Sequence, residues 1–73
     1  MIMPMSQATE GNIVEVKGVS IKEAMGKRLG ELGIVSGNKI KIIKNDGRSL
    51  IVGIDESRFA LDKSIARNIM IAI

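Results

Sequence analysis

Between Asn38 and Leu61 the chain alternates apolar and polar residues through three short runs, each ended by a turn signal. Lys39 and Lys41 alternate with Ile40 and Ile42, Leu50, Val52 and Ile54 share one side of the next run, and "RFAL" forms the third. Alternation with period two gives one apolar and one polar face, as a half-buried strand requires. The connecting "NDGR" contains Asp46-Gly47, a strong signal for a tight hairpin. "DES" marks the next reversal. Strands joined by such short turns can only be antiparallel neighbours.

The segment "NIVEV" (residues 12–16) alternates in the same way after a turn at Gly11, with Val14 and Val16 on one face. The period then changes. Apolar residues at 21, 25, 29 and 32 recur at about 100° per residue, which predicts one amphipathic helix. Ser20 and Glu23 have the spacing of a capping box, and Val19 is placed to staple that end. Glu23 and Lys27 stand at i,i+4 in the favourable order. Gly33 follows the last apolar residue, Leu32, where a left-handed glycine closes a helix. Gly37 reads as the turn into the next strand. Asp62 reads as the cap of a single helical turn, "KSIARN", before a closing strand, "IMIAI".

A chain of 73 residues forms one domain, residues 1–73, with 1–4 a candidate for disorder. So many strands in so short a chain cannot lie in an open flat sheet, whereas closing them into a barrel buries the aliphatic faces and removes exposed edges. The expected fold is mostly β: a small barrel of about five short strands with one α-helix and a short C-terminal helical turn. Phe59 is the single aromatic residue, so the core must be built from Ile, Val, Leu and Met.

The same composition excludes much chemistry. Without cysteine there is neither a disulfide nor a thiolate metal site. Without histidine the commonest acid-base catalyst and metal ligand is missing. The carboxylates Glu10, Glu15, Glu23, Glu31 and Asp62 fall on different elements, and only Asp55 and Glu56 are adjacent. Ser20, Ser36 and Ser64 have capping or turn explanations and no evident base. "GELGIVSG" lacks the Lys-Ser/Thr pair of a phosphate-binding loop. No catalytic residue, metal site or cofactor is expected. The start "MIMPMS" has no basic, apolar leader, and no run is long enough to span a membrane, so the chain reads as cytoplasmic.

What remains is binding. Lys39, Lys41, Lys44, Arg48 and Arg58 make a candidate basic strip, consistent with the net charge of +3, but nucleic acid would need aromatic stacking platforms. A protein partner is the stronger reading. Gly26 and Gly30 share one side of the predicted helix, nearly opposite its apolar stripe, and are expected to face outward, where bare backbone admits a close partner. Leu29 and Leu32 are expected to pack beneath that face, and Arg28 near the middle of the stripe can reach a carboxylate or a partner. Ile43, Ile51 and Met70 break the alternation: each is exposed unless a bulge or the helix covers it. The expected partner-binding set is Gly26, Arg28, Gly30, Gly33, Gly37 and Ile51.

Nearly the whole chain resembles the FeoA family, the small ferrous iron transport protein A. Met5 and Ala8 precede the turn Gly11; Arg28, Leu29, Leu32, Gly33 and Gly37 fall on the family's "RL-x-x-LG-x-x-x-G" pattern; Ala60, Leu61, Ala66, Ile69 and Ile71 fall on its "aL-x-x-x-x-A-x-x-I-x-V" ending. Four positions depart from the pattern: Ser36 and Glu10 stand where proline is common, Gly30 replaces a larger apolar residue, and Glu56 is nearest to a usual glycine. The resemblance implies an SH3-like barrel, which also forms the tail domain of DtxR-like metal-dependent repressors. It implies an accessory of the FeoB-type Fe(II) permease that binds and modulates the permease's cytoplasmic part. Carboxylate-based Fe(II) binding or sensing, nucleic-acid binding by a small barrel, and self-association are the alternatives left open.

Overall fold

A computed structural model describes residues 1–21 and 23–73; Lys22 and the side chain of Glu23 lie outside that description. The elements run β1 (Ile2–Pro4), a 3-10 turn (Met5–Gln7), β2 (Ile13–Val19), α1 (Glu23–Glu31), β3 (Lys39–Asn45), β4 (Ser49–Ile54), β5 (Ser57–Asp62), α2 (Lys63–Ala66) and β6 (Ile69–Ala72). The capping box expected at Ser20 and Glu23, and the Glu23–Lys27 pair, therefore involve a side chain outside the described residues.

All strand pairings are antiparallel, in the spatial order β1-β6-β2-β3-β4-β5. The hairpins β3–β4 and β4–β5 match the alternation that predicted them. Three expectations change. The start of the chain is not loose: Ile2, Met3 and Pro4 pair with Ala72, Ile71 and Met70 as a sixth strand. Nor is the barrel closed, because β1 and β5 are not paired and remain as edges. β2 also continues to Val19, where a helix entry was expected.

One aliphatic core fills the concave side. Val14, Val16, Ile40, Ile42, Leu50 and Val52 reach it by strict alternation from β2, β3 and β4. Met5 and Ala8, just before the turn at Gly11, are buried, as are Leu61, Ala66 and Ile69 from the chain's second half. Two irregularities interrupt the register, and the second accounts for Ile43. The register shifts between Val16 and Gly18 on β2 and between Ile42 and Lys44 on β3. Each shift marks an extra residue that flips the faces downstream. Ile43, at the second bulge, lies on the outer side of the sheet; a Cβ on Gly53 would come within 3.0 Å of its Cδ1. Ile51 and Met70 are half-buried, each on the side of its strand that faces away from the core.

Asn45 holds the N-terminal segment to this sheet. Its Nδ2 donates to the carbonyls of Ser6 and Ala8 at 3.2 and 2.9 Å, and its backbone N–H donates to Glu10 Oε1 at 2.8 Å. The bonds satisfy carbonyls in a segment that has few strand partners of its own.

The β3–β4 connection is a three-residue loop with Gly47 at φ +93°, not a two-residue turn. Asp46 Oδ1 accepts from the backbone N–H of Arg48 and of Ser49 at 2.9 and 3.0 Å. Those two bonds hold its carboxyl below the ordinary aspartate range, first through Ser49 and then through Arg48. A depressed native pKa means a contribution present above the unfolded value and lost as pH falls through the native one. Acid titration of stability below about pH 4 should therefore be shallower in Asp46→Asn than in the wild type. Equal slopes in the two proteins would show that the turn does not depend on the charge.

Candidate functional site

α1 and the turn after it form the most distinctive surface of the molecule. The helix ends in a paired cap. Ile34 N–H donates to the Leu29 carbonyl at 2.9 Å and Gly33 N–H to the Gly30 carbonyl at 3.0 Å. With Gly33 at φ +98°, this is a Schellman closure, and the accompanying apolar contact sets Ile34 against Leu29 inside the core. Asn38 Nδ2 donates to the Gly33 carbonyl at 2.8 Å and secures the same corner. Gly37, at φ +97°, carries the chain into β3 and donates to the Val16 carbonyl at 2.8 Å. Both glycines therefore do what their positions predicted.

The faces of α1 do not. Leu29 is 2% exposed and Ile21 packs against the core, but Met25 and Leu32 are 38% and 40% exposed, so half of the expected inner stripe is partly open to solvent. Gly26 and Gly30 are half-buried. A Cβ on Gly26 would lie 3.4 Å from Ile21 Cγ2, and one on Gly30 would lie 3.6 Å from Val35 Cγ1. The glycines thus sit under the chain that enters and leaves the helix, and do not present bare backbone outward. Leu32 is not buried beneath the helix, as the stripe implied; it stands 40% exposed at the helix exit, flanking Leu29.

The result is an outer face of Met25, Arg28 and Leu32 along one side of the helix, while Val35, 42% exposed, stands by Gly30 on the turn that follows. Val35 was not singled out from the sequence, although its place between Gly33 and Gly37 in "GIVSG" marks it as a turn residue with an apolar side chain. Ser36, at the position where proline is common, donates through Oγ to the Lys17 carbonyl at 3.2 Å and ties the turn to β2. Ile51 lies elsewhere, on the outer side of β4 opposite Ala60, and is not part of this face.

The remaining candidates are dispersed. Among the described residues no three carboxylates come together as a metal cluster. Glu15 pairs with Lys17 at 3.0 Å, Glu10 holds the Asn45 backbone, and Asp46 caps a turn. Asp62 occupies the N-cap position of α2 but makes no side-chain capping bond. Of the basic residues, Lys39 and Lys41 point outward from β3, and Lys41 and Arg58 flank Gly53 across β4. Phe59 packs against the core and offers no stacking surface beside them. No helix among the described residues is long and apolar enough to cross a membrane.

Comparison with known proteins agrees with this architecture. A family model described as the FeoA domain matches residues 3–73. A Methanocaldococcus jannaschii protein named for Fe(2+) transport (transport protein A) is 32% identical over 68 residues, spanning 93% of this chain and 83% of its own. The FeoA protein of Chlorobium tepidum superposes with a TM-score of 0.89 at 27% identity, covering 97% of this chain and 70% of that one. The FeoA of Stenotrophomonas maltophilia, solved with zinc and described as an SH3 domain protein, superposes at 0.83 with 28% identity over 96% and 89% of the two chains.

Proposed function

The chain belongs to the FeoA domain family, and from that premise we propose that it docks on the cytoplasmic part of an FeoB-type Fe(II) permease and adjusts its transport. The observation that carries this reading is the outer face of α1. Met25 and, at the helix exit, Leu32 stand part-exposed on the same side of the helix as Arg28, and Val35 is exposed on the turn that follows. Apolar side chains gathered beside an arginine are the composition of a protein contact. The chain brings no histidine or cysteine to act on a substrate, so its contribution to iron transport lies in what it touches.

The structure changes how the proposal is tested. Glutamate at Gly30 would push against Val35 and disturb the helix exit, confounding binding with packing. Leu32→Asp places a charge on the outer face without touching the core. Titration of the permease's soluble domain with the wild-type protein should give saturable binding, and Leu32→Asp should weaken it about tenfold or more, the cost of a central apolar contact. Wild-type protein that fails to bind would refute the partnership. Equal affinity of the two proteins would move the contact to another face.

A further inference from the structure

The two edges of the sheet are unequal. β1 is three residues long and ends in Pro4, the short and proline-blunted form that resists strand addition. β5 has six residues and no proline. Its register with β4 identifies the backbone groups left over. The two-residue turn at Asp55 and Glu56 closes on the pair Ile54 and Ser57, which hydrogen-bond to each other in such a hairpin. Period two then directs Ser57, Phe59 and Leu61 toward β4. The N–H groups of Arg58, Ala60 and Asp62, with the carbonyls of Arg58 and Ala60, face the open edge. Among the described residues no turn, loop or cap uses them.

The side chains along that edge are self-complementary. Arg58, Ala60 and Asp62 are all exposed on the outer face of β5. We propose that β5 pairs with β5 of a second copy, antiparallel and centred on Ala60. Arg58 of each copy then stands opposite Asp62 of the other, and the two Ala60 residues face each other. This register places the edge-facing residues opposite edge-facing residues, so the main-chain bonds form together with the charge pairs. A slide of two residues toward the hairpin would instead set Glu56 against Asp62, two like charges, which fixes the register. Ile51 of each copy, lateral to Ala60 on the same face, gains cover from the joined sheet. The contact is isologous and closes as a two-fold dimer. It uses a surface separate from the outer face of α1, and it does not depend on the proposed permease.

Sedimentation equilibrium of the full chain over a range of concentrations tests the pairing. The wild type should show a monomer–dimer equilibrium. Arg58→Asp should weaken it about tenfold or more, because two attractive cross-strand pairs become repulsive. The double variant Arg58→Asp, Asp62→Arg should restore association, since the pairs re-form with their charges exchanged. Circular dichroism would confirm that each variant is folded. A wild type that stays monomeric throughout, a dimer indifferent to Arg58→Asp, or a double variant as weak as the single one would each overturn the proposal.

Discussion

Leu29→Ala lowers stability by about 3 kcal/mol, within the range for a buried leucine truncated to alanine. Among the described side chains of α1, Leu29 alone is buried, so it is the pin that holds the helix to the sheet. Alanine is the better helix former, so intrinsic propensity favours the variant and the loss must come from packing. A nine-residue helix is too short to persist in water without such a contact. At about 4–8 °C per kcal/mol for a domain of this size, the melting temperature should fall by more than about 10 °C. Amide exchange should rise first in residues 24–31, because the element with fewest buried contacts opens most readily. A change within about 0.5 kcal/mol, the range of ordinary surface substitutions, would mean that α1 is not anchored through Leu29.

Gly33→Ala is expected to cost about 2 kcal/mol, from two sources that a control can separate. At φ +98° an L side chain is strained by roughly 1 kcal/mol or more. The new Cβ would also lie 3.1 Å from Ile54 Cγ2, so a core side chain at the end of β4 must give way. Gly37 has nearly the same φ, +97°, but nothing lies within 4 Å of its would-be Cβ. Gly37→Ala should therefore show the strain alone, at about half the loss. Chemical denaturation of both variants measures the difference. Equal losses would show that the contact with Ile54 relaxes at no cost.

The strands of the second half were legible because their signals are local. Alternation from Lys39 to Ile54, the turn at Asp46-Gly47 and the glycine closing the helix all act between residues close in the chain. β1 was illegible for the opposite reason: three residues ending in proline carry no periodic signal, and their partner lies at the other end of the sequence. The bulge on β3 was visible only as a misfit at Ile43, and that on β2 not at all, while Ile51 and Met70 lie on strands that alternate without interruption.

The helix misled in a more instructive way. A stripe of apolar residues normally marks the inner face because burial of those residues drives docking. Here the chain on either side of α1 packs over Gly26 and Gly30 through Ile21 and Val35. Half of the apparent stripe is left outside, and the face inferred for a partner shifts from the glycines to Met25, Arg28 and Leu32. Gly26, Arg28 and Gly30 lie on α1 and Gly33 and Gly37 in the turn after it, whereas Ile51 stands on β4. Among the described residues Glu10, Glu15 and Asp46 are each engaged on a different element.

The position of β6 has a consequence for how the chain is made. Its residues, 69–72, separate β1 from β2 in the sheet although the ribosome delivers them after every other strand. Until they emerge, β1 has nothing to pair with, and β2 shows an unpaired backbone edge to solvent or to neighbouring nascent chains. Folding of this sheet must therefore wait until residues 69–72 have emerged, so a stall or a stop before them would release a sticky intermediate rather than a slightly shortened domain.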